Sequence, residues 1–129
     1  MNFDSSYLLM WLGAFALTQV IEAPIYARWS VRGDWRSALL ASTWTHPVLW
    51  FVATPLWQHL RWPLADLTGA YDPAAWDMPV LYAMEVTIAL AEGAWLRSRG
   101  GVRPWLWAGV ANGASFLTGE LIYWVTGST

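Results

Sequence analysis

The chain has no cysteine and no lysine, and only 12% of its residues are charged. Without cysteine it can form neither a disulfide nor a thiolate metal site, and thiol catalysis is excluded. A soluble domain carries about 25% charged residues, so the low charge predicts burial in lipid. The net charge of −2 provides no basic patch, and this argues against a nucleic-acid partner.

Apolar and aromatic residues dominate instead, at 57% and 16% of the chain, with 12 tryptophans. Hydropathy predicts four spans at residues 7–29, 37–57, 78–96 and 104–125. Each is close to the ~20 residues that cross a bilayer as a helix. The prediction is an all-α, polytopic, Trp-rich membrane protein whose single domain covers residues 1–129. The first span follows an acidic rather than basic N-terminus, which favours a retained helix over a signal peptide.

Arginines flank the two short connections between the spans and predict the orientation. They are Arg28, Arg32 and Arg36 around the first connection, and Arg97, Arg99 and Arg103 around the second. Arg61 is the one arginine of the middle loop, residues 58–77. The positive-inside rule therefore predicts short loops in the cytoplasm and both termini outside, in a bacterial-type inner membrane.

The two arginine-flanked hairpins resemble each other and suggest a tandem repeat. A glutamate, Glu22 or Glu92, comes five or six residues before the first arginine after it. A polar residue, His46 or Asn112, lies midway along each return helix. Parallel repeats of this kind occur in transporters. The alternative is that any two arginine-flanked hairpins look alike.

Four glutamates fall inside the predicted spans: Glu22, Glu85, Glu92 and Glu120. A carboxylate in hydrocarbon costs about 2.5–3.5 kcal/mol on insertion scales, so such residues usually face a protein interior and carry function. Helical spacing and estimated depth bring most of the polar residues together, while Glu120 is expected to lie apart near the outer face. The candidate binding or transport residues are Gln19, Glu22, Tyr26, Thr45, His46, Glu85, Glu92, Asn112 and Ser115.

Prolines and glycines mark irregular points in the predicted helices. Pro24, Pro47 and Pro55 lie inside spans, and a proline frees a backbone carbonyl one turn earlier. Pro24 comes two residues after Glu22, and Pro47 directly follows His46. Such kinks suit a binding site or merely helix packing. Gly109 and the glycine four residues later form a GxxxG pair, which allows close helix approach within the chain or in a dimer.

The leading functional hypothesis is proton- or cation-coupled transport or conduction of a small solute or ion. One alternative is an intramembrane enzyme acting on a lipid or peptide, with a glutamate as general base, His46 as partner and Asn112/Ser115 as an oxyanion pocket. A carboxylate-rich metal site is a further alternative, with the ligands Glu22, His46, Glu85 and Glu92. The last alternative is an accessory subunit of a membrane complex. No cofactor is strongly implied, and the expected partners are the lipid bilayer and a homo-oligomer or larger complex.

Overall fold

The structure is a computed structural model that describes residues 4–69 and 72–126. These residues form four helices joined by turns, without a strand among them, so the all-helical class is confirmed. Helix α1 consists of Ser5–Ile25 and a π-helical turn, Tyr26–Ser30. Helix α2 consists of Trp35–Val48, a π-helical turn, Leu49–Ala53, and Thr54–Thr68. Helix α3 consists of a 3-10 turn, Pro73–Trp76, and Asp77–Ser98, and helix α4 is Pro104–Thr126. The extreme ends, residues 1–3 and 127–129, were predicted to lie outside the membrane and fall outside the described residues.

Local side chains determine where the helices begin. The carboxylate of Asp4 accepts a hydrogen bond from the backbone of Tyr7 at the start of α1. Asp34 accepts one from the backbone of Ser37 at the start of α2. These are N-caps, which satisfy backbone N–H groups that have no partner within the helix. Helix α4 begins at Pro104, whose missing N–H costs nothing in the first turn.

Helix α2 is longer than the predicted second span. Residues 58–68 were assigned to the middle loop, but they continue the helix until Gly69, whose φ of +69° ends it. Hydropathy reports where a chain stops being apolar, whereas a helix ends where its backbone bonding is broken. Asp77 joins this extension to α3, because it accepts a 2.8 Å hydrogen bond from Trp57 and lies 3.8 Å from Arg61.

Both π-helical turns begin two residues after a proline. Pro24 precedes the turn in α1, and Pro47 precedes the turn in α2. A proline removes one backbone hydrogen bond and pushes on the preceding turn of helix, and a wider turn accommodates that change. The Val31 N–H bonds to the carbonyl of Tyr26 at 2.9 Å, five residues back, as a π turn requires.

The interior of the bundle contains polar and small residues, and its exterior is apolar. Helices α1 and α3 each pack against α2 and α4. Fully buried alanines at positions 38, 41, 108 and 111 bring the backbones close together, while Val20 is 73% exposed and Leu67 is 83% exposed. Two helical stretches, Ser5–Ser30 and Pro73–Ser98, are long and apolar enough to cross a membrane.

The two arginine-containing turns are joined directly. Val102 donates its backbone N–H to the carbonyl of Ser30 over 3.0 Å, and the rings of Trp29 and Trp107 stack with centroids 5.3 Å apart. A side chain at Gly101 would collide with the Ser30 hydroxyl at 2.7 Å. We call this arrangement the turn clamp. It fixes the end of the bundle next to the buried glutamates.

Candidate functional site

Glu22 is held by a hydroxyl from each return helix. It is 1% exposed, and its Oε2 accepts from the Ser42 hydroxyl while its Oε1 accepts from the Ser115 hydroxyl, each at 2.5 Å. Ser42 belongs to α2 and Ser115 to α4. The carboxyl group of α1 therefore links three helices through bonds to neutral donors.

Glu92 of α3 has a matching environment with one more donor. Its Oε1 accepts from Thr45 at 2.5 Å. Its Oε2 accepts from Tyr26 at 2.5 Å and from the Asn112 amide at 2.9 Å. Glu92 is also 1% exposed. Because buried polar groups are costly when unpaired, these donors are what makes the position tolerable.

The two halves of the chain supply these partners in the same pattern. Three pairs are each separated by 70 positions: Glu22 with Glu92, Ser42 with Asn112, and Thr45 with Ser115. Glu22 accepts from Ser42 and Ser115. If each residue is replaced by the other member of its pair, these bonds become the bonds of Glu92 with Asn112 and Thr45. The sequence comparison of His46 with Asn112 was wrong, since the residue 70 positions after His46 is Phe116. The mismatch arose because positions in each half were counted from its arginines rather than from its glutamate.

A cavity of about 270 Å³ extends from the two buried carboxyls away from the arginine turns. All four glutamates of the spans line it, together with His46, Trp50 and Phe116. Its lining reaches Thr54 of α2 and Glu120 of α4 at the far end. No arginine or lysine lines it in the part of the chain that the structure describes. We call it the glutamate cavity.

His46 forms part of the wall of the glutamate cavity. The side chain is 9% exposed, and its Nε2 lies 3.3 Å from the Thr18 hydroxyl. Its ring stacks on Trp50, with centroids 6.1 Å apart and an interplanar angle of 19°. Nδ1 is buried and has no hydrogen-bond partner among the described residues. One polar atom of the wall is therefore left without a protein partner.

Glu85 and Glu120 line the cavity without joining the bonded network around the other two glutamates. Glu85 lies seven residues before Glu92, which is about 10 Å along the helix. Glu120 was expected to be separate, and this was wrong. Its helix continues straight past Ser115, so both residues border the same space.

Two of the candidate residues lie outside the cavity. Gln19 turns toward α2, where its amide bonds to the Leu39 carbonyl and the Thr43 hydroxyl at 3.3 and 3.2 Å. Its spacing from Glu22 predicted a shared face, but three residues on a helix differ by about 60° in direction, which suffices to point it elsewhere. Tyr26 is fully buried behind the cavity and contacts its lining through hydrogen bonds with Glu92 and Asn112.

The GxxxG pair is not used for helix approach inside the described chain. A Cβ built on either Gly109 or Gly113 would meet nothing within 4 Å. The close contact occurs instead at Gly93, where a Cβ would come 2.5 Å from the Trp105 ring. The glycine that permits packing between α3 and α4 thus lies on α3.

The alternative metal site is not assembled. Within residues 4–69 and 72–126, no three acidic or histidine side chains are arranged to hold a metal ion. Glu22 and Glu92 direct their oxygens to hydroxyl and amide groups on different helices, and His46 lies against Thr18. The set of Glu22, His46, Glu85 and Glu92 lines one cavity without converging on one point.

The hydrogen-bond donors of the oxyanion pocket considered for an enzyme are already bonded to other side chains of the protein. Asn112 directs its amide group to Glu92 and Tyr26, at 2.9 and 3.0 Å. The Ser115 hydroxyl bonds to Glu22. These donors serve the buried carboxyls, so they are not free to stabilise a developing oxyanion.

Sequence reasoning missed several residues of the site. Ser42 is a full partner of Glu22, and Trp50, Phe116 and Thr18 line the glutamate cavity. The signal for Ser42 was its spacing three residues before Thr45, which repeats 70 positions later as Asn112 and Ser115. Aromatic and hydroxyl side chains are too common in such helices to stand out singly.

Compared with known proteins, the chain matches no family model, no curated protein and no solved structure.

Proposed function

We propose that the protein is a four-span integral membrane protein of the cytoplasmic membrane that exchanges a small organic cation for protons. The apolar exterior and polar interior support the membrane assignment, because this distribution reverses that of a soluble domain. The arginine-containing turns face the cytoplasm in this proposal, as the positive-inside rule requires. The glutamate cavity then opens toward the outer side.

The observation that carries the proposal is a cavity that is lined by four glutamates and, among the described residues, by no arginine or lysine. Uncompensated carboxylates in a low-dielectric space attract a cation strongly. The lack of a three-ligand metal geometry favours an organic cation over a metal ion. Trp50 and Phe116 also line the cavity, and aromatic faces bind cations, particularly quaternary ammonium groups.

The wall and floor of the cavity have different roles in this proposal. Glu85 and Glu120 contact the cation, because their carboxyls are not committed to internal bonds among the described residues. Glu22 and Glu92, whose carboxyl oxygens all accept hydrogen bonds, form the inner end of the cavity and keep the helices in register. Glu85 releases its proton when the cation binds and takes one up when the cation leaves, which couples the two flows.

The repeated bonding pattern supports a tandem duplication of one helical hairpin. The two hairpins are then related by an axis along the membrane normal, as in transporters built from parallel repeats. The glutamates of both halves meet at this axis, near the inner end of the bundle. A binding site at the interface of two repeats is the arrangement that alternating access exploits.

Tetramethylammonium exchange in proteoliposomes tests the proposal. This cation has no uncharged form that leaks through lipid. A gradient directed inward should raise the lumenal pH, reported by an enclosed dye, only when the protein is present. Glu85→Gln should slow this change at least tenfold, while the exposed control Asp66→Asn should behave like the wild type. Equal rates for Glu85→Gln and wild type, or no exchange by the wild type, would overturn the proposal.

A second candidate function, an accessory subunit of a membrane complex, is favoured by the complete bonding of Glu22 and Glu92. In that case the glutamates hold helices together rather than bind cargo. Glu22→Gln and Glu92→Gln would then lower thermal stability and reduce recovery of a co-purified partner. There would be no cation exchange in the wild type for them to affect.

A further inference from the structure

A second hollow lies beside the glutamate cavity, between α2 and α3. It has a volume of about 360 Å³ and is lined almost entirely by apolar side chains. Its lining includes Val48, Ala53, Val80, Ala83 and Met84. No acidic, basic or histidine side chain lines it among the described residues. We call it the α2–α3 groove.

The groove and the glutamate cavity share part of their walls. Thr45, Leu49 and Ile88 line both spaces. Thr45 is also the residue whose hydroxyl bonds to Glu92 on the cavity floor. A molecule lying across this shared wall would therefore have an apolar part in the groove and a polar part among the glutamates.

The shared wall is one place where the two halves of the chain differ. The π turn of α2 contributes Leu49 to both spaces, Trp50 to the cavity and Ala53 to the groove. Pro47 precedes this turn, whereas Leu117, 70 positions later, lies in regular helix. Isolated π turns are frequent at functional sites. The irregularity thus lies at the junction of the two spaces.

His46 provides an independent sign that the cavity receives a ligand. It is 9% exposed and lines the cavity, and its buried Nδ1 has no hydrogen-bond partner in residues 4–69 and 72–126. A buried polar atom without a partner is costly, and a bound ligand or its hydration water would satisfy it. The neighbouring ring of Trp50 stacks on the His46 ring.

We propose that the ligand is a membrane-dissolved amphiphile with one cationic ammonium head and a single alkyl chain. This inference rests on the proposed function and deepens it. The head occupies the glutamate cavity, and the chain lies in the α2–α3 groove. A phospholipid is disfavoured, because its phosphate would meet carboxylates with no arginine or lysine lining either space in the described chain.

Photo-crosslinking tests the inference. The probe is dodecyltrimethylammonium with a diazirine at the end of its chain, added to the full-length protein in phosphatidylcholine nanodiscs. Peptide mass spectrometry should find the label on groove residues, chiefly Val48, Val80 and Met84. Ala83→Trp fills the groove and should reduce this labelling at least tenfold. The matched control is Gly13→Trp, 70 positions earlier on α1, where an added Cβ meets nothing within 4 Å.

Labelling spread evenly over the lipid-facing helices, or unchanged by Ala83→Trp, would overturn the inference. If Ala83→Trp does not fold, Ala91→Leu narrows the same groove and should give the same loss. Wild-type exchange of tetramethylammonium without groove labelling would leave the proposed function intact and remove the alkyl-chain site. Groove labelling without exchange would retain the site and remove transport.

Discussion

Tyr26 of the first hairpin donates its phenolic hydrogen to Glu92 of the second over 2.5 Å. The same hydroxyl accepts from the Asn112 amide at 3.0 Å, so three helices meet at one side chain. The residue 70 positions after Tyr26 is Leu96, which is equally buried but has no polar group. The hydrogen bond from Tyr26 to Glu92 therefore has no counterpart in the second half of the chain.

Removing the Tyr26 hydroxyl tests how much this addition contributes. Tyr26→Phe leaves Glu92 with Thr45 and Asn112 as donors and should lower the free energy of unfolding by about 1 kcal/mol. Unfolding in mixed micelles with increasing dodecyl sulfate gives the value. Tyr82→Phe, at a side chain 51% exposed, is the control and should change it little. A loss of the same size in both variants would contradict the interpretation.

Glu92→Gln and Glu22→Gln should destabilise the bundle to a similar extent. The partners of Glu22 are hydroxyls, which can rotate and accept a hydrogen bond from the new amide. At Glu92 the amide oxygen can accept from Tyr26 and Asn112, while the amide nitrogen donates to the Thr45 hydroxyl. We expect the losses to agree within about 1 kcal/mol, measured by the same unfolding assay. A loss for Glu92→Gln that exceeds this margin would mean that the Thr45 hydroxyl does not accept.

Gly93→Ala should be strongly unfavourable. The added methyl group would lie 2.5 Å from the Trp105 ring, so the ring must move out of its packed position between α3 and α4. Overpacking of this kind costs about 1–3 kcal/mol. Gly109→Ala is the matched control, since its methyl group meets nothing within 4 Å and alanine favours helix. The melting temperature should fall for the first variant and stay level or rise for the second.

Asp34, in the first arginine turn, should make stability depend on pH in the acid range. Hydrogen bonds from Ser37, first from its side chain and then from its backbone, hold the pKa of Asp34 below the ordinary 3.8. A lowered carboxyl pKa stabilises the fold above the unfolded value, and that contribution disappears as pH falls through the folded value.

Asp34→Ala should therefore lower the melting temperature at pH 7, and the gap to the wild type should close toward pH 3. Asp66→Ala, at an exposed position on α2, is the control for the removal of an acidic side chain. A gap for Asp34→Ala that stays constant down to pH 3 would show that the charge of the cap is irrelevant.

Composition and hydropathy were sufficient to predict the all-helical class, because apolar stretches of about 20 residues are typical of membrane-spanning helices. They placed the end of α2 near Trp57, eleven residues short of Thr68. The amphipathic extension is too polar to register as a span. Its end depends on Gly69, a helix-terminating glycine that hydropathy does not register.

The importance of the buried glutamates could be predicted, since carboxylates in spans are expensive. Most of their partners were among the candidate residues as well, namely Tyr26, Thr45, Asn112 and Ser115. Which partner bonds to which glutamate could not be predicted, because hydropathy leaves the rotation of each helix about its axis undetermined. Gln19 was expected beside Glu22 and points to Leu39 instead. Ser42 was within reach of sequence reasoning, because counting 70 positions from Glu22 to Glu92 aligns it with Asn112.

The turn clamp has a mechanical consequence. Ser30 and Val102 join the hairpins at one end, beside the stacked rings of Trp29 and Trp107. Asp77 joins the same two hairpins a second time at the other end, through Trp57 and Arg61. Hairpins that are held at both ends cannot separate at their tips while the Asp77 contacts last. Any widening of the entrance therefore begins with the loss of these contacts, and the bonds around Glu22 can stay in place.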